Sequence, residues 1–255
     1  TALGGTNPTA SYSLTNLSGP PGSIQVLQGS GQSTQVNTTF PVRFRVLVRD
    51  SNGNPVRGRP VHFEAPGGGA TGIFQASGGT ATDVDTDTNG VAEASAFTAS
   101  LRAGAYIVTA SAPNVSVPVQ FFMRNLAGPP RHIRQIAGSP QQTQVSTAFP
   151  VNFQAEVLDT FFNGTPNTLV RWLTPPQSGP SGTFFAGRDT MRTDTNGIAT
   201  AAVFVANIRA GQYLVKGVVA NVADTAGNMV GFASDTNPPV GTININSGAA
   251  YTNNT

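Results

Sequence analysis

The sequence predicts an all-β chain of two tandem immunoglobulin-like Greek-key β-sandwiches arranged end to end. Three observations carry that expectation: an internal repeat, a hydrophobic period of two inside each copy, and turn residues at regular intervals.

The repeat is direct. Asn16-Leu17-Ser18-Gly19-Pro20-Pro21 returns as Asn125-Leu126-Ala127-Gly128-Pro129-Pro130, a displacement of 109 residues. The same displacement carries Gln35-Val36 onto Gln144-Val145, Phe40-Pro41-Val42 onto Phe149-Pro150-Val151, and Asp50 onto Asp159. Further along it becomes 107, where Thr86-Asp87-Thr88-Asn89-Gly90 matches Thr193-Asp194-Thr195-Asn196-Gly197 and Arg102-Ala103-Gly104 matches Arg209-Ala210-Gly211. Small insertions and deletions in surface loops produce such a drift. The expected domains are therefore residues 17–125 and 126–234. Residues 1–16 read as the last strand of a preceding repeat, because Tyr12-Ser13-Leu14-Thr15-Asn16 echoes Phe121-Phe122-Met123-Arg124-Asn125. Residues 235–255 read as the start of a further domain or a terminal arm, so the chain is expected to be a window from a longer protein.

Within each copy, apolar residues alternate with polar ones. Phe40, Val42, Phe44, Val46 and Val48 form one row, with Arg43, Arg45 and Arg49 on the other side. Phe149, Val151, Phe153, Ala155 and Val157 repeat that row, and Tyr106, Val108 and Ala110 are matched by Tyr213, Val215 and Gly217. A period of two is a half-buried strand, and 29 Gly with 19 Pro would interrupt most helices.

The turns supply punctuation. Asn89-Gly90 and Asn196-Gly197 are expected to form type I′ hairpin turns, in which both central residues take positive φ. Asn52-Gly53 and Asn163-Gly164 are expected to act similarly after the long strand. Tyr106 and Tyr213, just after Ala-Gly and opening a late strand, suit the tyrosine corner of Greek-key sandwiches. Between the copies, Gly128-Pro129-Pro130 fixes φ at two positions, so the sequence predicts a semi-rigid rod.

Composition excludes several functions. Charged residues make up 10% of the chain, with 14 basic against 12 acidic and a net charge of +2, which is no clustered nucleic-acid footprint. There is no cysteine, hence neither disulfide nor thiolate metal site, and no apolar run approaches the length that spans a bilayer.

The run from Phe40-Pro41-Val42 to Asp50-Ser51-Asn52-Gly53-Asn54-Pro55-Val56, followed by Gly58, Val61 and Phe63, Thr86 to Ala92, and Ala103 to Val108, resembles the bacterial immunoglobulin-like repeat of the invasin and intimin type. The second copy keeps most of it but carries Phe162-Asn163-Gly164-Thr165-Pro166 at the first turn. The resemblance covers residues 17–232 and implies a seven- or eight-stranded sandwich used in series as a stalk of bacterial cell-surface adhesins and other exported proteins. It implies neighbouring domains of the same polypeptide as partners.

Chemistry has few places to reside. Asp83, Asp85, Asp87 and Asn89 are candidate calcium ligands, since Asp85 to Gly90 matches the first six positions of an EF-hand loop. Against this, Ala96 stands where a bidentate Glu belongs and Arg192 replaces Asp85 in the second copy; the simpler expectation is a solvated turn braced by Asp87 and Asp194. His62 and His132 do not recur, being replaced by Arg171 and Ser23, and no Gly-x-Ser-x-Gly elbow accompanies them. Lys216, the only lysine, has Thr109 as its counterpart in the other copy, which speaks against an isopeptide crosslink. Trp172 is expected in the core, its rival role being an aromatic platform in a carbohydrate-binding module. A further alternative is a self-assembling filament subunit that pairs with other copies through residues 1–16 or 240–255.

Overall fold

A computed structural model describes residues 10–219 and the backbone of 243–246. The expected domain limits beyond these, at residues 1–9, 220–242 and 247–255, lie outside the described residues. Contacts divide the chain into two compact units: residues 1–32, 39–98 and 105–123, and residues 33–38, 99–104 and 124–255.

The first ten strands are β1 (Pro21–Gln28), β2 (Gln32–Gln35), β3 (Arg45–Asp50), β4 (Pro60–Glu64), β5 (Gly72–Phe74), β6 (Ala81–Asp85), β7 (Val91–Glu93), β8 (Phe97–Ala99), β9 (Gly104–Ser111) and β10 (Val119–Leu126). They form a three-stranded sheet β1-β3-β7, a five-stranded sheet β2-β10-β9-β4-β6 and a short pair β5-β8. Then come β11 (His132–Ala137), β12 (Gln154–Leu158), β13 (Leu169–Leu173), β14 (Gly182–Phe184), β15 (Thr190–Arg192), β16 (Ile198–Thr200), β17 (Phe204–Ala206), β18 (Leu214–Val219) and β19 (Ile243–Asn246). Their sheets are β11-β12-β16, β15-β13-β18-β19 and the pair β14-β17. Apart from β2, whose counterpart Gln141–Gln144 lies in no strand, the second set follows the order of the first, and both are immunoglobulin-like β-sandwiches.

Each core sits between its two sheets. Phe44, fully buried, stands 4.7 Å from Phe121, 5.1 Å from Phe97 and 5.9 Å from Phe74 between ring centroids. Phe153 plays the same part in the second unit, 5.3 Å from Phe204 and 6.0 Å from Trp172. Val46, Val48, Val61, Val108 and Ala110 close the first core; Ala155, Val157, Val170 and Val215 close the second. Burying such side chains stabilises by about 1.5–3 kcal/mol each, so sandwiches of this size hold without disulfides.

Two sequence expectations need correction. Val42 and Val151 are exposed rather than buried. The row breaks there because a glutamine ten residues upstream takes the backbone out of the strand. Gln32 Oε1 accepts the Val42 N–H at 2.9 Å and its Nε2 donates to the Val42 and Gly29 carbonyls; Gln141 does the same for Val151 and Gly138.

The Asn-Gly turns are also not type I′. Gly90 and Gly197 take φ of 74° and 84°, while Asn89 and Asn196 remain at negative φ. Strand β6 pairs with β4 and β7 with β3, so the turn passes between sheets instead of closing a hairpin of its own neighbours. After β12 the left-handed residue is Phe162 at 63°, whereas in the first unit it is Gly53 at 85°.

Ile243–Asn246 pairs antiparallel with Leu214–Gly217, beside β18 as β10 lies beside β9. A strand in this segment is thus part of the second unit's sheet.

Candidate functional site

The most elaborate polar constructions among the described residues are carboxylate clamps at the end of β3 and of β12. Asp50 is the last residue of an otherwise apolar-alternating strand and is buried. Its Oδ1 accepts the N–H groups of Asn52 (2.9 Å) and Asn54 (2.8 Å); its Oδ2 accepts the Gly19 N–H (2.9 Å) and the Asn54 side-chain amide (3.1 Å). Asp159 repeats this with Phe161 (2.8 Å) and Asn163 (2.9 Å) on Oδ1, and Gly128 (2.8 Å) and the Asn163 amide (2.9 Å) on Oδ2. A carboxylate offers about four acceptor sites, and both of these carboxylates have theirs filled. Gly19 and Gly128 precede the Pro-Pro pairs, so one side chain fastens the segment entering each sandwich to the turn leaving its central strand.

A second pair of devices explains Thr-Asp-Thr-Asn-Gly. Thr86 Oγ1 donates to the Val56 carbonyl (2.6 Å) and accepts the Arg59 N–H (3.0 Å); Thr193 Oγ1 does likewise with Thr165 (2.6 Å) and Thr168 (2.8 Å). Asp87 Oδ1 accepts the N–H groups of Asn89 and Val91 at 2.8 and 2.9 Å, and Asp194 those of Asn196 and Ile198 at the same distances. The glycine that follows touches backbone: a Cβ on Gly90 would lie 2.6 Å from the Val48 carbonyl oxygen.

The calcium candidates are not brought together. Asp83 faces His62, whose Nδ1 lies 2.8 Å from its Oδ1; Asp85 pairs in register with Pro60; Asp87 is committed to its turn. Among the described residues no three acidic or histidine side chains converge on a metal position. The sheet does set His62 between Asp83 and Ser111 in register, but on an exposed face where water screens the pair. His132 stacks on Phe162 with centroids 5.0 Å apart. Trp172 is 1% exposed, so its faces are inaccessible to a sugar. Tyr106 is buried in β9, and burial pushes its hydroxyl well above the ordinary tyrosine value; Tyr213 packs edge-on against Phe149. Pro129 and Pro130 lie between β10 and β11, outside any strand.

No family model matches the chain. Over 188 residues, 74% of its length, it is 29% identical to the inverse autotransporter adhesin YeeJ of Escherichia coli K12, and this stretch is 7% of that adhesin. InvD of Yersinia pseudotuberculosis has the same fold: TM-score 0.50 and 13% identity over 84% of this chain and 54% of InvD. The chain therefore has an immunoglobulin-like fold shared with an invasin-type protein, and it is similar in sequence to an inverse autotransporter adhesin. The Escherichia coli adhesin FdeC matches 88% of the chain and 63% of its own, at TM-score 0.41 and 14% identity. YeeJ is a bacterial adhesin, and by that similarity the chain is adhesin-related and of the bacterial cell surface or exterior. Among its described residues no helix is long and apolar enough to cross a membrane.

The clamps are expected to make both domains acid-sensitive. Donation from the Gly19 N–H and then from the Asn54 amide holds the Asp50 carboxyl at about 2, below its ordinary 3.8 and against the opposing effect of burial. For Asp159 burial pushes upward, but the Asn163, Gly128 and Phe161 donors outweigh it and the carboxyl lies low. The Val91 N–H likewise leads in lowering Asp87. With folded values below unfolded ones, the unfolded chain takes up the proton first as pH falls. Asp50 therefore stabilises fully above about 4, and its contribution is lost as pH drops toward about 2. Asp50→Asn, which presents an amide N–H₂ where N–H donors converge, is expected to lower stability at neutral pH and to flatten the first unit's share of that acid slope. Urea unfolding followed by circular dichroism at stepped pH measures both.

Proposed function

We propose that the chain is a non-catalytic spacer, a stalk segment of a bacterial cell-surface adhesin. The observation that carries this reading is the duplicated clamp. Asp50 and Asp159 tie the incoming Gly-Pro-Pro segment to the body of each sandwich at the point where a pulled chain loads the domain. Polar side chains in the two copies are spent on fastening backbone rather than on a shared ligand position. The similarity to an adhesin many times longer than the aligned stretch supports a part that contributes length.

Pulling the chain by its ends in a force spectrometer tests the proposal. The expected trace has two separate rupture events, each releasing about 30–35 nm of extended chain, as a unit of roughly 100 residues gives at about 3.5 Å per residue. Asp159→Ala, which leaves the N–H groups of Gly128, Phe161 and Asn163 without their acceptor, is expected to lower one rupture force only. Extension without resistance in the wild type overturns the spacer reading.

A further inference from the structure

The first unit carries opposite charges on its two outer faces. On the sheet β1-β3-β7, Arg45 and Arg49 alternate with the buried Val46, Val48 and Asp50 and so stand on the outside. Arg45 lies in register with Glu93, whose carboxylate takes Arg43 at 3.1 Å and Arg45 at 3.2 Å. Arg49 is exposed, its Nη1 on the Gly53 carbonyl at 2.8 Å. Asp87, at the turn before β7, also acts on Arg45, but its Oδ1 is committed to that turn. Positive charge is in excess on this face.

The opposite sheet is the reverse. Glu64 on β4 and Asp83 and Asp85 on β6 are exposed and alternate with the inward Val61, Phe63, Thr82 and Val84. Register sets His62 beside Asp83, bonded to it at 2.8 Å, Pro60 beside Asp85, and Glu64 between Ala81 and Thr109. Arg124, exposed on β10, is separated from β4 by the whole of β9. Arg57 and Arg59 lie in the connection from β3 to β4, which crosses between the sheets and belongs to neither face. Each face also has apolar surface: Leu47 in register with Val91 on the first, Ile107 and Phe122, 38% and 58% exposed, on the second.

This segregation is particular to the first unit. The second copy puts Asn152, Gln154 and Leu158 where Arg43, Arg45 and Arg49 stand, and Leu173, Thr190 and Arg192 where Glu64, Asp83 and Asp85 stand. Its ion pairs, Arg134 with Glu156 and Arg171 with Asp189, close within their own faces. With charged residues at 10% of the chain, the second copy shows that such a sandwich is wetted by uncharged polar groups, so solubility does not call for the charges of the first. Strands β1 to β10 complete that sandwich, and both faces are the outside of a finished domain.

We propose that the arginine face of the first unit in one copy of the chain seats side by side on the carboxylate face of the first unit in a second copy. Guanidinium and carboxylate groups make charge-assisted, forked hydrogen bonds, and complementary faces steer the encounter. Joining two like faces would oppose like charges, so the contact is heterologous; because the faces lie on opposite sides of one sandwich, it repeats into a lateral array rather than closing a dimer. Exposed ion pairs are individually weak and screened by salt, so the contact forms where chains are crowded alongside one another and dissolves as ionic strength rises. This inference does not rest on the spacer reading: it is decided by association, the spacer by resistance to force.

Charge reversal on the full chain tests it. In sedimentation at about 20 mM salt the wild-type mass is expected to rise with concentration; at about 0.5 M, where the Debye length has shrunk from about 20 Å to about 4 Å, the chain is expected to be a monomer. One variant, Arg43→Glu with Arg49→Glu, makes both faces acidic; the other, Glu64→Lys with Asp83→Lys and Asp85→Lys, makes both basic. All five positions are exposed, so each variant is expected to keep the wild-type unfolding transitions in calorimetry. Alone, each is expected to stay monomeric in low salt, and an equal mixture is expected to associate again, since each supplies the charge the other has lost. A wild-type chain that is monomeric to about millimolar concentration in low salt overturns the proposal, and one that is also retained on sulfated dextran through its arginine face assigns that face to a polyanion instead. Association that salt or either variant leaves unchanged overturns it too, as does a mixture that remains monomeric.

Discussion

Phe44→Ala is expected to destabilise the first unit by about 3–5 kcal/mol and to leave the second unit's unfolding transition where it is. Phe44 is fully buried and stacked against or edged by Phe63, Phe74, Phe97 and Phe121, with centroids between 4.7 and 6.5 Å. Truncation removes the ring's transfer free energy and leaves a cavity walled by four other rings, which cannot collapse together without abandoning their own strands. For a domain of about 100 residues the loss corresponds to a fall in Tm of well over about 10 °C. Trp172 lies in the second core and is the only tryptophan, so its fluorescence follows that unit alone while calorimetry records both. Two transitions that shift together would show one core where two are described.

Gly90→Ala carries the second large effect, about 2–5 kcal/mol, and separates two causes of glycine preference. At φ 74° any L-residue pays for left-handed backbone, about 1–2 kcal/mol. The new Cβ would also lie 2.6 Å from the Val48 carbonyl oxygen and 3.0 Å from Val56 N, atoms held by the Val48 N–H to Gly90 carbonyl and Val56 N–H to Val48 carbonyl bonds. Backbone cannot yield without opening that ladder, and overpacking adds about 1–3 kcal/mol. Gly78, at φ 67° with open space around it, is the control: Gly78→Ala is expected to lose only the conformational part, about 1–2 kcal/mol. Equal losses at the two positions, measured by urea unfolding, would remove the close-approach argument.

Much of this architecture is legible in the sequence because its signals are local. Phe44, Val46 and Val48 alternate on one strand, and Phe153, Ala155 and Val157 copy them, so burial follows from spacing. Val42 and Val151 break the pattern for a reason that local spacing does not contain, namely the amide of Gln32 or Gln141 across a loop. The Asn-Gly rule fails at Asn89-Gly90 because it presumes that the flanking strands pair with each other, and here they belong to different sheets. Asp50 and Asp159 recur in the repeat, yet only folding shows that their partners are Gly19 and Gly128, thirty-one residues earlier in each copy. A charged residue that closes a buried strand in both copies is the signal that points to them. Phe162 has no comparable signal: nothing in its neighbourhood announces that an aromatic residue takes the left-handed position Gly53 holds in the other copy.

The carboxylate fastening has a consequence for how such proteins change length. Every partner of Asp50 lies between Gly19 and Asn54, and every partner of Asp159 named above between Gly128 and Asn163. A gene segment encoding one unit therefore brings its whole joinery with it. Copies can be gained or lost without orphaning a buried charge.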